Sequence, residues 1–411
     1  MSEPSMGRRD RPTGHPLLFQ SSTDGSQGAP RPLTELIPTN GDGVAITIRV
    51  VGVGGAGGNV IDSLIGNHPA VDTLAVNTDR QALRASRAGR VICLGEVTMR
   101  GLGAGGNPAV GRRAAEESAA LLRDALRGTE MVFLAAGMGG GTGTGAAPVV
   151  AEIARQAGAL TVALVTRPFS FEGRHRARLA EEGLARLREV TDTVIVVPND
   201  RLLTASTRST TVRGAFAMAD TVLRYGVQGI ADMITRHGMI NVDFADVRTI
   251  MSGAGPALLG LGIGLGSDRA VDAARRAMAC PLLEGRLEGS SRLLFNISGG
   301  EDLGLFEVHR AAELVSSAVS PDANIIFGAS IDPNMGSGQV KVTLVAAGFQ
   351  SQEVAPAQRL SAAATPPPPG DPAERRPFRP TPPNIPSSPP TDKFDEPPFL
   401  RRFKQKDETD S

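Results

Sequence analysis

Cysteine, tryptophan and tyrosine are scarce in this sequence. Its 411 residues include two cysteines, one tyrosine and no tryptophan. Cys93 and Cys280 are far apart and lack the close spacing of zinc ligands, which argues against a disulfide framework and a cysteine metal site. The five histidines are equally scattered, so we expect no metal site. Cysteine usage of this kind is typical of a reducing compartment, and we expect a cytoplasmic protein.

An excess of charge of either sign is also missing. Lysine plus arginine and aspartate plus glutamate each number 43, so the formal net charge is zero. This balance argues against a protein that mainly coats nucleic acid or anionic lipid. The longest apolar runs, such as PALLGLGIGLG from Pro256, are shorter than the ~20 residues needed to cross a bilayer. We therefore expect no nucleic-acid partner and no direct membrane insertion.

The two ends of the sequence differ in composition from the middle. Residues 1–45 are rich in Gly, Pro, Ser and charge, which predicts a disordered N-terminal arm. Half of the 30 prolines follow residue 350, and residues 351–391 are predicted to form a disordered linker. Residues 392–411 contain four large apolar side chains among charged ones: Phe394, Phe399, Leu400 and Phe403. This favours a peptide that docks on a partner over a merely solvated terminus.

The middle of the chain predicts an α/β fold. From residue 46 to 209, apolar strand-like runs alternate with helical segments, which indicates a parallel, Rossmann-like sheet covered by helices on both faces. One of these helical segments spans residues 108–128. Residues 210–238 predict a single long central helix, because apolar positions recur at helical spacing. Residues 239–350 predict a smaller α+β domain.

Three glycine-rich loops stand before predicted helices: VVGVGGAGGN from Val50, GLGAGGNP from Gly101 and GMGGGTGTG from Gly137. Helix N-termini expose unpaired N–H groups and a partial positive charge, and glycine lets several N–H groups point at one anion. At the carboxyl edge of a parallel sheet, such loops can surround a polyphosphate. The third loop is the most specific, whereas the first alone is a weak signal. Because the sequence has no GxxxxGK[ST] motif, backbone amides must hold the phosphates.

An oxidoreductase is the alternative suggested by the first loop. GVGGAGG is similar to a dinucleotide-binding fingerprint, and Asp79 lies about 20 residues further on, where that fingerprint places a ribose-binding acid. An NAD-dependent Rossmann enzyme would leave the third loop and the C-terminal peptide unexplained. A non-hydrolysing nucleotide-binding scaffold is a further alternative.

Several motifs together resemble the tubulin/FtsZ family, and within it the bacterial cell-division FtsZ proteins. GMGGGTGTG looks like the family's signature loop and NVDFADVRTIM, from Asn241, like its synergy loop. AVNTD, PFSFEGRHR and VPNDRLL match in order, and DEPPFLRRF is similar to the FtsZ tail peptide. The resemblance covers residues 46–350 and the tail peptide. It implies a GTPase, with Mg²⁺, that polymerises head to tail and forms the division ring at mid-cell. It also implies that residues 392–411 recruit membrane-tethering and regulatory division proteins.

The resemblance also implies the site residues. The phosphates and nucleoside would be held by loop residues: Gly54, Gly55, Gly57, Gly58, Asn59, Asn77, Gly105, Gly106, Asn107, Gly140, Gly141, Thr142, Gly143 and Thr144. Glu172 and Arg176 would contact ribose and phosphate. Asn199 and Asp220 would recognise guanine, with Phe216 stacked on the base. The family usually has alanine at Gly106 and often a second acid at Thr221, so the sequence departs from the pattern at both.

The candidate catalytic residues are Asn241, Asp243 and Asp246, which the resemblance places in the nucleotide pocket of the next subunit. There the two acids would position the attacking water, and Asn241 would order the loop. From the residues alone, Asp243 and Asp246 lie three apart and would share one face of a helix. Asn241 or Asp243 would equally serve as the N-cap of that helix, and the two roles are compatible.

Overall fold

A computed structural model describes residues 46–65, 71–205, 209–236, 238–280, 287, 289–332 and 335–349. The predicted N-terminal arm, proline-rich linker and tail peptide lie outside these residues. The strands are β1 (Ile48–Val53), β2 (Asp72–Asn77), β3 (Arg90–Cys93), β4 (Met131–Gly137), β5 (Leu160–Arg167), β6 (Thr193–Pro198), β7 (Gly255–Leu265), β8 (Ser290–Gly299), β9 (Asn324–Ile331) and β10 (Gln339–Phe349).

The helices are α1 (Gly54–Leu64), α2 (Arg80–Ala85), α3 (Glu96–Met99), α4 (Pro108–Glu117), α5 (Ala119–Leu126), α6 (Gly141–Gln156), α7 (Arg174–Val190), α8 (Asn199–Ala205), α9 (Val212–Thr235), α10 (Phe244–Met251), α11 (Arg269–Met278) and α12 (Leu305–Ser316). Among the described residues, none of these helices is long and apolar enough to span a membrane.

The strands form one sheet in the order β3-β2-β1-β4-β5-β6-β7-β10-β8-β9. The first six strands in that order are parallel. One apolar cluster joins α1, α9 and α10 to one face of these strands. A second joins α4, α5, α6 and α7 to the other face. The predicted α/β fold with a parallel sheet is therefore confirmed, and so is the long central helix, α9.

The second part of the fold continues the same sheet. β7 pairs with β6 through three residue pairs and then runs antiparallel to β10 over eight. β10 is antiparallel to β8, and β8 is parallel to β9. A third apolar cluster packs α11 and α12 on these strands. This is the predicted smaller α+β unit.

The strand β7 was not predicted, because glycine at every second position disfavours a strand. The structure gives the reason for this pattern. A Cβ on Gly260, Gly262 or Gly264 would overlap the backbone carbonyl of Ala277, Ala273 or Arg269, respectively. The three glycines therefore present bare backbone to α11 and let that helix lie directly against the strand.

Two helix predictions are corrected by the structure. The helix predicted over residues 108–128 is divided at Ser118, whose hydroxyl accepts a hydrogen bond from the N–H of Gly95 at 3.0 Å. The predicted phosphate loops are also partly helical: α1 begins at Gly54 and α6 at Gly141. Because glycine is a poor helix former, the sequence pattern did not predict that these first turns are helical.

Candidate functional site

The N-termini of α1 and α6 lie side by side at the carboxyl edge of the parallel sheet. α1 follows β1 directly, and α6 begins four residues after the neighbouring strand β4. Among the described residues, neither helix has a side-chain N-cap. Their first N–H groups therefore point into the space at this edge, where the two helix dipoles favour an anion.

The glycines of these two helices serve different purposes. A Cβ on Gly57 would lie against the carbonyl of Ala135, one on Gly143 against that of Gly137, and one on Gly145 against that of Pro108. These three positions allow close packing of the helices on neighbouring backbone. A Cβ on Gly55, Gly58 or Gly140, by contrast, would have no described atom within 4 Å. The second group leaves open space beside the helix N-termini.

Two threonines fix the glycine-rich loop after β4. The hydroxyls of Thr142 and Thr78 share a hydrogen bond of 2.7 Å, which links this loop to the end of β2. The Thr144 hydroxyl accepts a hydrogen bond from the N–H of Gly139 at 2.8 Å, and Thr144 is buried. Thr144 thus orders the loop from behind, whereas Thr142 lines the open space.

A cavity of about 290 Å³ opens at this edge. Eleven of the predicted nucleotide-binding residues line it: Gly54, Gly55, Gly140, Gly141, Thr142, Gly143, Glu172, Arg176, Asn199, Phe216 and Asp220. An adjoining cleft of about 190 Å³ between α1 and α2 shares Gly54 and Gly55 and is also lined by Gly58, Asn59 and Asn77. Residues predicted from six separate segments of the chain are thus brought together around the cavity and the adjoining cleft.

The other predicted residues lie beside the cavity. Gly57 and Thr144 are packed behind the helix N-termini, as described above. Gly105 and Gly106 have φ angles of +56° and +76°, in the region that favours glycine. Asn107 is the N-cap of α4 and accepts a hydrogen bond from the N–H of Ala109 at 2.9 Å. This loop lies directly against the start of α6, because a Cβ on Gly141 would be 2.9 Å from the nitrogen of Asn107.

One end of the cavity is suited to a polar planar base. Asn199 is 4% exposed, and its Oδ1 has no hydrogen-bond partner among the described residues. Burial raises the pKa of Asp220 to about 6, although a hydrogen bond of 3.2 Å from Asn59 acts in the opposite direction. Such groups are costly to bury without a ligand, and guanine offers N–H donors to both. The residues present therefore fit a guanine nucleotide.

Phe216 forms a wall of the same end and is supported from behind. Its ring meets the ring of Phe169 edge-to-face, with 5.2 Å between centroids and an interplanar angle of 88°. Phe169 is buried and stacks on Phe171 at 4.9 Å. Sequence analysis did not assign Phe169 a role, because nothing in its spacing connects it to α9.

Glu172 and Arg176 form an ion pair of 2.6 Å, four residues apart. The other oxygen of Glu172 accepts a hydrogen bond from the N–H of Phe169 at 2.9 Å. Both residues line the cavity. They therefore form a local ion pair and also lie where they could contact a nucleotide. Met138, Thr166 and Pro168 also line it. The sequence did not predict them, because they are ordinary residues: Thr166 lies near the end of β5, and Met138 and Pro168 directly follow β4 and β5.

The candidate acids lie at the opposite, amino edge of the parallel sheet. Their helix, α10, is held there by Arg248, which donates to the carbonyls of Glu130 and Gly158 at 3.5 and 3.4 Å, just before β4 and β5. The Thr193 hydroxyl, at the start of β6, donates to the carbonyl of Met251 at 2.5 Å. In the described structure, the cavity and the acids therefore occupy opposite edges of one sheet.

Residues 238–246, which we call the synergy segment, are locally well ordered by their own side chains. Asn241 Oδ1 accepts a hydrogen bond from the N–H of Gly238 at 2.6 Å. Asp243 is the N-cap of α10 and accepts one from the N–H of Asp246. Both aspartates are exposed. Asp243 therefore has the structural role foreseen from its position, and both carboxylates also face solvent.

Two further features of the described residues concern possible sites elsewhere in the molecule. Among the described residues, no group of three or more His, Cys, Asp or Glu side chains is arranged to hold a metal ion. A larger cavity of about 540 Å³ lies between α9 and the β7–β10 pair. Its described lining is mainly apolar and includes none of the predicted site residues.

Comparison with known proteins defines the class. Residues 47–207 match the model of the tubulin/FtsZ family GTPase domain, and residues 255–350 match that of the FtsZ family C-terminal domain. The molecule is therefore a GTPase of the tubulin-like class. More narrowly, this chain belongs to the FtsZ family. Membership implies that it binds GTP and GDP.

Solved structures agree with this assignment. An FtsZ dimer, empty, from M. jannaschii is 45% identical, with a TM-score of 0.72, and the match covers 75% of this chain and 90% of that one. CetZ2 from Haloferax volcanii, solved as a GTPγS-bound protofilament, is 23% identical with a TM-score of 0.64, over 74% of this chain and 94% of that one. The second likeness concerns the fold alone.

The oxidoreductase alternative loses its support. The first glycine loop lies within the matched GTPase domain. Asp79, the acid that this alternative would place on a ribose, caps α2 by accepting hydrogen bonds from the N–H groups of Gln81 and Ala82 at 2.8 and 3.3 Å.

Proposed function

We propose that this chain hydrolyses GTP at a contact between two copies and polymerises head to tail into filaments. The observation that carries this proposal is the separation of the cavity from the acids. Thr235, at the end of α9, lies fifteen positions after Asp220, which is at the cavity. At about 1.5 Å per residue this is about 22 Å along the helix axis. The acids of one copy cannot reach its own nucleotide, but they can reach that of a neighbour.

The proposed roles of the residues are supported by their positions around the cavity. Backbone N–H groups at the start of α1 and α6, with the Thr142 hydroxyl, hold the phosphates. Asn199 and Asp220 bind the guanine edge, and Phe216 stacks on the base. Glu172 accepts from the ribose hydroxyls, and Arg176 pairs with phosphate oxygen. Mg²⁺ would be held mainly by phosphate oxygens and waters and would offset the phosphate charge, because it prefers oxygen ligands and keeps several waters.

At the contact, Asp243 and Asp246 of the neighbouring copy orient the attacking water. Asn241 keeps the synergy segment in shape through its hydrogen bond to Gly238. The chemistry depends mainly on positioning and electrostatics, as is usual for phosphoryl transfer. Loss of the γ-phosphate then weakens the contact and allows the filament to disassemble.

A contact between opposite edges is heterologous, so repetition gives an open filament. Exposed apolar side chains at both edges support such a contact. Leu102 is 86% exposed in the glycine-rich loop before α4. Met239 and Ile240 are exposed in the synergy segment, and Phe306, at the start of α12, is 81% exposed. Exposed apolar side chains that stand next to each other, as Met239 and Ile240 do, are typical of surfaces that bind another protein.

The cellular role rests on the family. We propose that the filaments form the division ring at mid-cell in a bacterium. The tail peptide, residues 392–411, would recruit membrane-tethering and regulatory division proteins. We retain the proposed domain boundaries: a GTP-binding domain over residues 46–209, the central helix over 210–238 and a C-terminal domain over 239–350.

The test measures phosphate release and light scattering across protein concentrations. We expect GTP turnover per molecule to rise steeply once scattering shows filaments. Asp246→Ala should bind GTP normally and assemble but lose most of its turnover. Glu182→Ala, which removes an exposed carboxylate in α7, is the matched control and should behave like the unchanged protein. Full turnover by dilute monomers, or by Asp246→Ala, would refute the shared site.

A further inference from the structure

Four charged side chains cluster where α9 ends. Arg236, the C-cap residue of α9, donates through Nε to Asp232 Oδ1 at 2.5 Å. Its Nη1 lies 3.1 Å from Oδ1 of Asp332, which follows β9. Lys341 on β10 places its Nζ 3.7 Å from the second oxygen of Asp232. Two carboxylates and two cations thus face one another between α9 and the C-terminal part of the sheet.

The cluster is largely shielded from water. Asp232 is 2% exposed, and the side chains of Asp332 and Lys341 are 16% and 14% exposed. Burial acts to lower the pKa of Arg236, but the Asp232 and Asp332 carboxylates outweigh burial and raise it. The guanidinium therefore stays charged. Its removal would take one cation away from two carboxylates that are largely shielded from water, which is unfavourable at this burial.

The cluster is connected to the synergy segment through β9. Ile240 and Ala329 exchange two backbone hydrogen bonds, of 3.2 and 3.1 Å. A Cβ on Gly238 would overlap the carbonyl of the same Ala329. The segment therefore lies against β9, and Asp332 follows Ala329 by three residues. Arg236 thus ties the end of α9 to the chain just beyond the strand on which the synergy segment rests.

We propose that Arg236 is a positioning residue for the acid pair. It joins Asp232 of α9 to Asp332 beyond β9 and so fixes where the synergy segment begins relative to that strand. This in turn sets where Asp243 and Asp246 stand at the contact between copies. The proposal rests on the proposed function, because Arg236 acts through the two acids and touches no nucleotide.

Arg236→Met tests this role, since methionine keeps the apolar stem and removes the charge. Asp332→Asn is a milder second variant that leaves the Asp232–Arg236 pair in place. The matched controls are Arg310→Met and Asp268→Asn, which break an exposed ion pair of 3.0 Å in the same part of the fold. Each variant is studied as the full chain. Folding is checked by thermal unfolding, and GTP affinity is measured at concentrations too low for assembly.

The decisive quantity is kcat per sedimented subunit. For Arg236→Met we expect it to fall by about tenfold to a hundredfold, the loss that follows when reacting groups are displaced by about 1 Å. Asp332→Asn should also lower kcat per sedimented subunit, but by a smaller factor. GTP affinity and KM should not change, because the cavity lies at the other end of α9. A merely structural role would lower the folded fraction and the amount sedimented but leave kcat per sedimented subunit intact.

Asp246→Ala, measured in parallel, separates the two proposals. If Asp246→Ala loses turnover while Arg236→Met and Asp332→Asn match their controls, the positioning role is wrong and the shared site stands. If Asp246→Ala keeps full turnover, the shared site is wrong and the positioning role is wrong with it.

Discussion

Asp243 Oδ1 accepts a hydrogen bond from the backbone N–H of Asp246 at 3.0 Å. The two acids are therefore not independent, because the first one holds the turn that carries the second. A simple loss of activity on replacing Asp243 would not distinguish a catalytic role from a capping role.

Two substitutions at Asp243 separate these roles. Asparagine caps a helix about as well as aspartate, so Asp243→Asn should leave the free energy of unfolding nearly unchanged. Alanine removes the cap, and Asp243→Ala should lower it by about 0.5–2 kcal/mol. Both should lose GTP turnover, because both lack the charge. Urea unfolding and phosphate release measure the two effects. An Asp243→Asn protein with full turnover would leave Asp243 as a cap and nothing more.

Nucleotide affinity should depend on pH through Asp220. Burial raises the pKa of this carboxyl to about 6 in the free protein. Above that pH the group is an anion and accepts two hydrogen bonds from guanine. Below it the group is protonated and can no longer accept both. GTP affinity should therefore fall as pH is lowered from 7 to 5, as measured by titration with a fluorescent GTP analogue. The control is Asp220→Asn, whose affinity should vary much less over the same range.

The base preference should change with the same substitution. Asp220→Asn replaces an acceptor with an amide donor, which suits xanthine, since xanthine carries an oxygen where guanine carries an amino group. GTP affinity should fall by about tenfold to a hundredfold, as expected when a buried hydrogen bond is lost. Affinity for xanthosine triphosphate should rise. Competition titrations with the two nucleotides measure the ratio, and an unchanged ratio would show that Asp220 does not contact the base.

Two glycine-to-alanine substitutions should have opposite effects on stability. In Gly145→Ala the new methyl group would overlap the carbonyl of Pro108, and we expect a loss of about 1–3 kcal/mol. In Gly58→Ala the methyl group meets no described atom within 4 Å. Gly58 lies inside α1, so its helix propensity matters. Because alanine favours a helix over glycine, a gain of about 0.5–1 kcal/mol is expected. Denaturant unfolding without nucleotide measures both, and equal effects would contradict the packing described for α4 and α6.

Much of this architecture could be predicted from the sequence, because apolar strands and amphipathic helices carry distinct periods. β7 was missed since Gly260, Gly262 and Gly264 conceal its strand pattern, and their partners on α11 are invisible to local patterns. The first turns of α1 and α6 were missed for a related reason, because glycine is locally unfavourable there and only packing against other segments justifies it.

In the candidate site, too, some features could be predicted from the sequence and others depend on contacts between distant segments. The resemblance to the family predicted that Asn199 and Asp220 lie at the same site, because both match the family's motifs. The hydroxyl pair of Thr78 and Thr142 and the ring contact of Phe169 with Phe216 join positions far apart in sequence. Such contacts depend on the three-dimensional arrangement and leave no periodic signal.

The alternating glycines of β7 also constrain how this sequence can drift over generations. On one side of the strand, facing α11, even a single methyl group has no room. On the other side, Leu261 and Ile263 border a wide cavity and have space to change size. A systematic substitution scan should therefore find that larger residues are rejected at Gly260, Gly262 and Gly264 but accepted at Leu261 and Ile263, so that packing restricts every second position in this part of the strand.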